Sequence, residues 1–329
     1  MRLSRVFTLV CRVIASPNLT EILTMTDHSN SDWRGIFSIL ITPFTDELKL
    51  DDTSLRRQVD FCVEAGATGV VGPANASEFS TLSDDERRRW LEIVVEQTAG
   101  RIPVVASITS GHAQAAADLA RFAEGIGVDG VMSMPPPILK PDEAGCAQYF
   151  RTVASAVKIP LILQNYAAPL GTPMKAEALA RLCSEVENIA YVKEEVPPEP
   201  RMISATLAAV GNNCRGIFGG QGGIYLIDEF RRGAVGNMPG AHTTDVLVDI
   251  WNQLEAGDLE GARTVFQKML PLMVFERLYG IAVYKEVMLR RGIIDSAARR
   301  APGPAIDDED RRELDPALRQ VEALFRVTL

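Results

Sequence analysis

The chain has 329 residues, a hydrophobic fraction of 47% and a formal net charge of −9 at pH 7. This describes a soluble globular protein with a sizeable core, long enough for one (β/α)₈ barrel of roughly 250 residues with an appendage, or for a pair of ordinary domains. An acidic surface repels phosphate backbones and argues against a nucleic-acid partner, and no apolar run approaches the ~20 residues of a membrane span.

Residues 1–30 differ from the rest. Arg2 and Arg5 precede a short apolar run that Arg12 interrupts, whereas a secretory signal needs the run unbroken. This segment reads as a poorly ordered or leader-like extension, with Met25 an alternative start. The five cysteines (Cys11, Cys62, Cys146, Cys183 and Cys214) are scattered, without a CxxC pair. That pattern fits small buried hydrophobes in a reducing, cytoplasmic compartment better than a disulfide framework. His28, His112 and His242 stand alone, so no metal site is expected.

From Gly35 a short apolar run repeatedly precedes an amphipathic segment. The apolar runs are Ile36–Ile41, Gly69–Val71, Ile102–Ala106, Gly130–Met134, Pro160–Leu163, Ile189–Val192, Gly216–Phe218 and Ala234–Met238. Between them, helices are predicted over Asp52–Ala65, Ser83–Ala99, His112–Gly125, Pro141–Val157, Lys175–Val186 and Met202–Val210. Asp51 or Asp52 caps the first. Ser83 and Glu86 form a capping box for the second. Pro141 sits in the first turn of the fourth, and Gly211 ends the last.

Eight strands alternating with helices indicate βαβ units and a parallel sheet, closed rather than open. The runs are apolar throughout, as strands covered on both faces must be. No GxGxxG follows the first run, which counts against a dinucleotide-binding sheet. After Pro239 the pattern is helical: Thr244–Glu255, Leu259–Leu272, Leu278–Arg291 and Asp308–Arg326. The expected organisation is therefore an α/β (β/α)₈ TIM barrel over residues 31–256, with a C-terminal helical appendage over 257–329.

In such a barrel chemistry sits at the C-terminal ends of the strands. Of seven lysines, only Lys193 ends an apolar run directly. Desolvation at a barrel mouth disfavours its ammonium form, and a neutral amine can attack a ketone to form an imine. The alternative is a lysine merely paired with Glu194 or Glu195.

Several segments in register resemble the dihydrodipicolinate synthase / N-acetylneuraminate lyase superfamily, whose members are Schiff-base (β/α)₈ lyases. They are GIFSILITPF at 35–44, ANASEFSTLS at 74–83, IPLILQN at 159–165, YVKE at 191–194 and FRRGAVGN at 230–237. The resemblance implies an imine on Lys193, a 2-keto acid substrate, no cofactor, and a homo-oligomer, dimer or tetramer. It also implies that the turn Asn75, Ala76, Ser77 and Glu78 binds the substrate carboxylate.

Two positions depart from that pattern. Ala76 replaces a threonine, leaving the Ala76 and Ser77 amides and the Ser77 hydroxyl as donors. Gln164 stands where the family carries a proton-relaying tyrosine, with Tyr166 two residues on, either on the same strand face or in the loop. A glutamine there, MSMPP at 132–136 and the tail around Pro271–Ile281 are similar to the branch that dehydrates L-2-keto-3-deoxyarabonate. For that reaction Tyr166, Glu195 and a water held by Gln164 are the acid–base candidates. Glu195 shares the face of Lys193 if the strand persists, and otherwise is a solvated loop carboxylate.

Gly219 and Gly220, in the GGQGG run, let the backbone approach the substrate or simply make a tight loop. His242 either touches a substrate hydroxyl or has a loop or capping role. The leading reading is a sugar-acid dehydratase. Its rivals are a pyruvate-dependent aldolase or synthase-like enzyme, and a keto-acid-binding barrel without turnover.

Overall fold

A computed structural model describes residues 32–327 apart from 168 and 169. The expected extension at 1–30 lies outside the described residues. Eight parallel strands close into a barrel in sequential order: β1 (Gly35–Ile39), β2 (Gly69–Gly72), β3 (Val104–Ser107), β4 (Gly130–Ser133), β5 (Leu161–Tyr166), β6 (Ile189–Glu195), β7 (Gly216–Gly219) and β8 (Gly236–Asn237). The helices are α1 (Asp52–Glu64), α2 (Asp84–Thr98), α3 (Ala113–Gly125), α4 (Glu143–Ala154), α5 (Ala176–Glu185), α6 (Glu199–Val210), α7 (Leu226–Arg231), α8 (Thr244–Glu255), α9 (Leu259–Tyr279), α10 (Ile281–Arg290) and α11 (Asp308–Glu322). This is the TIM barrel with C-terminal helices that the alternation of elements predicts.

The caps explain several boundaries. Asp51 accepts from the Ser54 amide at 3.0 Å, and Ser83 and Glu86 exchange both bonds of a capping box. The fourth helix starts later than predicted. Asp142 caps it by accepting from the Gly145 amide at 2.8 Å, which leaves Pro141 outside the first turn. The ninth runs on to Tyr279, seven residues past the expected end, with Pro271 inside it. A proline costs one backbone bond, but the buried face of Met269, Leu272, Met273 and Glu276 continues across it. Gly280, at φ +52°, makes the actual break. The short α7 was not anticipated from the sequence.

Inside the barrel Phe37, Val71, Val105, Met132, Ile162, Tyr191 and Phe218 pack together. Trp33 closes the N-terminal end. Its ring stacks on Tyr191 at 5.2 Å, and its amide donates to the Tyr191 hydroxyl at 2.9 Å. A larger apolar layer joins the strands to the surrounding helices and includes Met288, Ile293 and Ile294 from the C-terminal region. Complete burial of each such side chain stabilises the fold by roughly 1.5–3 kcal/mol. The four described cysteines are free. Among the described residues no helix is long and apolar enough to cross a membrane.

The fifth and sixth strands are longer than predicted. They pair through Gln164 with Lys193, Asn165 with Glu194 and Tyr166 with Glu195. Five polar residues and a tyrosine look like loop in a sequence. They persist as strand because successive side chains point to opposite faces and each face has partners for them. An extra residue in β6 near Ala190, where the register shifts, brings Lys193 opposite Gln164.

Candidate active site

The outward face of this extension is structural. Asn165 Nδ2 donates to both Glu194 oxygens at 3.0 Å and to the Met174 carbonyl at 3.0 Å. The Val196 amide and the Thr206 hydroxyl also donate to Glu194, at 3.0 and 3.2 Å. Burial pushes the Glu194 carboxyl up to about 7, against the lowering effect of these hydrogen bonds.

The inward face carries Gln164, Tyr166, Lys193 and Glu195, all lining a cavity of about 260 Å³ at the C-terminal mouth of the barrel. Lys193 is buried, and its Nζ lies 3.0 Å from Glu195 Oε2. Gln164 Nε2 donates to that same oxygen at 2.7 Å. The Gln221 amide donates to Glu195 Oε1 at 3.1 Å. Glu195 is thus neither solvated nor in a loop: it is a buried carboxylate holding the lysine. Tyr166 belongs to the strand. Burial, then the Glu195 charge, pushes its phenol up to about 12, so it stays protonated at neutral pH.

The turn after β2 contributes Asn75 and Ala76 to the cavity, but not Ser77 or Glu78. Ser77 is committed elsewhere: its amide donates to the Ala74 carbonyl at 2.9 Å and its hydroxyl to the Leu40 carbonyl at 2.5 Å. Glu78 turns away, at φ +56°, into a buried pair with Lys285 at 2.6 Å. The amides of Asn75 and Ala76 have no partner among the described residues, and the buried Asn75 Nδ2 has none either. The two free backbone amides belong to residues that line the cavity, a suitable cradle for an anionic oxygen pair.

Gly219 and Gly220 do not line the cavity. A Cβ on Gly219 would stand 1.9 Å from Glu229 Oε2, and one on Gly220 would stand 2.2 Å from Glu195 Oε1. Glycine is required there by neighbouring carboxylates. Gln221 and Gly222 of the same run do reach the cavity. His242 is buried outside the lining, its Nε2 2.8 Å from Glu276 Oε1. Among the described residues no group of His, Cys, Asp or Glu is placed to hold a metal ion.

A model of the dihydrodipicolinate synthetase family matches residues 32–321. The chain belongs to that family. It is 33% identical over 304 residues to the L-2-keto-3-deoxyarabonate dehydratase of Azospirillum brasilense, across 91% of this chain and 98% of that protein. It is 34% identical over 248 residues to the 4-hydroxy-tetrahydrodipicolinate synthase of Methanopyrus kandleri, across 72% of this chain and 79% of the relative. The crystal structure of dihydrodipicolinate synthase from Rhodopseudomonas palustris superposes with a TM-score of 0.81 at 31% identity, covering 87% of this chain and 97% of that one. Family members are lyases that act on small molecules and are usually oligomeric, and this chain is a lyase of the family.

The tail around Pro271–Ile281, similar to one branch of the family, was given no place in the site, yet it supplies most of one wall. Met273, Glu276 and Arg277 from α9, Ile281 and Tyr284 from α10, and Gly280 between them complete the cavity. The available signal was the apolar spacing that continues past Pro271 and brings Glu276 onto a buried face.

Proposed function

We propose that the chain dehydrates a 2-keto-3-deoxy sugar acid through an imine on Lys193. The observation that carries this reading is the Glu195 carboxylate, which shares one oxygen between Lys193 Nζ and Gln164 Nε2. A proton passing from Nζ to Glu195 leaves a neutral amine, which attacks C2 of the keto acid. Glu195 returns that proton to the carbinolamine hydroxyl, which leaves as water to give the protonated imine, with the substrate carboxylate at the Asn75–Ala76 donors. The imine acidifies C3, and Glu195 takes the C3 proton. The enamine electrons then expel the C4 hydroxyl, which takes the proton back from Glu195 and leaves as water. A second water adds at C2 and frees Lys193. With a 3-deoxypentonate the released unsaturated keto acid becomes a 2-oxo semialdehyde.

Gln164 favours this outcome over carbon–carbon cleavage. Retro-aldol chemistry needs a base on the C4 hydroxyl, and an amide exchanges no proton; it can only orient Glu195. The deciding experiment incubates the protein with 2-keto-3-deoxypentonates and identifies the products. A 2-oxo semialdehyde is expected. Pyruvate plus an aldehyde would make the protein an aldolase, and a borohydride-trapped adduct without turnover would make it a binding barrel. The same reading places the protein in the cytoplasm as a dimer or tetramer, in keeping with the family's habit and checked by light scattering.

A further inference from the structure

The cavity has a second polar corner that the imine chemistry leaves unused. Glu276 spends one carboxylate oxygen on His242 Nε2 at 2.8 Å. The other, Oε2, receives no hydrogen bond among the described residues. It stands 3.2 Å from the point where a Cβ on Gly222 would sit. The Tyr284 hydroxyl lies 3.9 Å from that same point and has no hydrogen-bond partner among the described residues. The Tyr284 ring stacks on His242 at 4.5 Å, so one histidine positions both groups. Burial pushes the Tyr284 phenol well above its ordinary value, which keeps it a proton donor. Gly222, at φ +70°, supplies no side chain to fill the space.

An acceptor and a donor thus converge on one spot of the cavity that also holds Lys193, Asn75 and Ala76. Unpaired polar groups in a buried wall are costly unless a ligand satisfies them. We propose that this corner reads a hydroxyl group at the end of the substrate remote from the imine, the hydroxyl donating to Glu276 Oε2 and accepting from the Tyr284 phenol. This rests on the keto-acid reading above and adds to it the chemistry of the far end. A terminal carboxylate has no proton to offer Glu276 and would meet its charge. Arg277, the one guanidinium in the lining among the described residues, donates to the neutral Gln221 Oε1 at 2.5 Å, which orients it without compensating its charge, so the diacid arm of the test below sets its pull against that of Glu276. The substrate class is therefore a 2-keto-3-deoxy acid ending in an alcohol, not a diacid.

The test compares 2-keto-3-deoxypentonate with 4-hydroxy-2-oxopentanoate, which lacks only the terminal hydroxyl, and with 4-hydroxy-2-oxoglutarate, which has a carboxylate there. Wild type should prefer the first over the second by roughly 10- to 100-fold in kcat/KM, and should use the diacid least. Tyr284→Phe and Glu276→Gln should each shrink the first ratio, mainly through KM, and Glu276→Gln should improve binding of the diacid. Pyruvate, too short to reach the corner, should still be trapped on Lys193 by borohydride in both variants. A ratio near one in wild type, or unchanged in both variants, overturns the proposal, as does a wild-type preference for the diacid. Should wild type trap no pyruvate, the imine reading falls, and the corner is judged by the calorimetric affinity ratio for the same acids. Should Glu276→Gln fail to fold, Tyr284→Phe decides alone.

Discussion

Two buried lysine–carboxylate pairs lie in this barrel, and they differ in what surrounds them. Lys285 and Glu78 meet at 2.6 Å with both side chains fully covered. Lys285 Nζ also donates to the Ala298 carbonyl at 2.6 Å and sits 4.4 Å over the Phe44 ring. Glu78 Oε2 accepts from the amides of Arg300 and Ala301, at 2.8 and 2.5 Å. Burial pulls the ammonium down to about 8, opposed by the Glu78 charge. Lys193 and Glu195 meet at 3.0 Å, nearly as deeply buried, but both border open cavity. Burial and pairing are common to the two lysines; room for a ketone belongs to one. The closed pair has its own task, since it ties α10 and the segment after Ser296 to the turn that carries the Asn75–Ala76 donors, two residues beyond Ala76.

Substitutions should separate the two pairs. Lys193→Ala is expected to abolish the borohydride adduct and turnover while leaving a folded protein, because Glu195, unlike Glu78, borders the cavity, where water can take the place of the ammonium. An adduct in that variant, seen by mass spectrometry, would put the imine on another lysine. Glu195→Gln should lower kcat by about 10²–10⁴-fold, the usual share of a general acid–base group, with a smaller change in KM. An unchanged kcat would remove Glu195 from the chemistry. Lys285→Met should instead cost stability, about 3–5 kcal/mol in urea unfolding, because it leaves Glu78 charged and unpaired. Adding Glu78→Met should recover much of that loss, and no recovery would mean that the two side chains act independently.

The sequence made the inside of this site far more legible than its rim. Lys193 stood out because it ends a buried run, and strand order then fixed where it points. Glu195 and Tyr166 stayed ambiguous, since whether a polar stretch remains strand depends on partners such as Met174 and Thr206 that come from other elements. Ser77 looked like a ligand donor, but its hydroxyl is consumed by Leu40, a contact across 37 residues that no local pattern reports. The α9–α10 wall was the least legible part. Its residues reach the mouth only because a long helix ignores Pro271 and breaks at Gly280, and tertiary packing overrides local propensity there.

The smallest predicted effect comes from another buried carboxylate, Glu229, separated from Glu195 by Gly219 and Gly220. Glu229 accepts from Asn237 Nδ2 at 2.7 Å, and its Oε1 is buried without a partner. Burial pushes it up to about 8, from an ordinary value of 4.5. The folded protein therefore binds a proton that the unfolded chain has released throughout that interval. The stabilisation is complete below the unfolded value and is lost as pH rises through the folded one. Glu229→Gln is neutral at every pH and should lose this slope. Its melting temperature should match wild type near pH 4 and exceed it by a few degrees at pH 9, in parallel calorimetric scans. Equal slopes would mean that Glu229 is ionised at neutral pH in the fold, with two carboxylates charged on either side of the paired glycines.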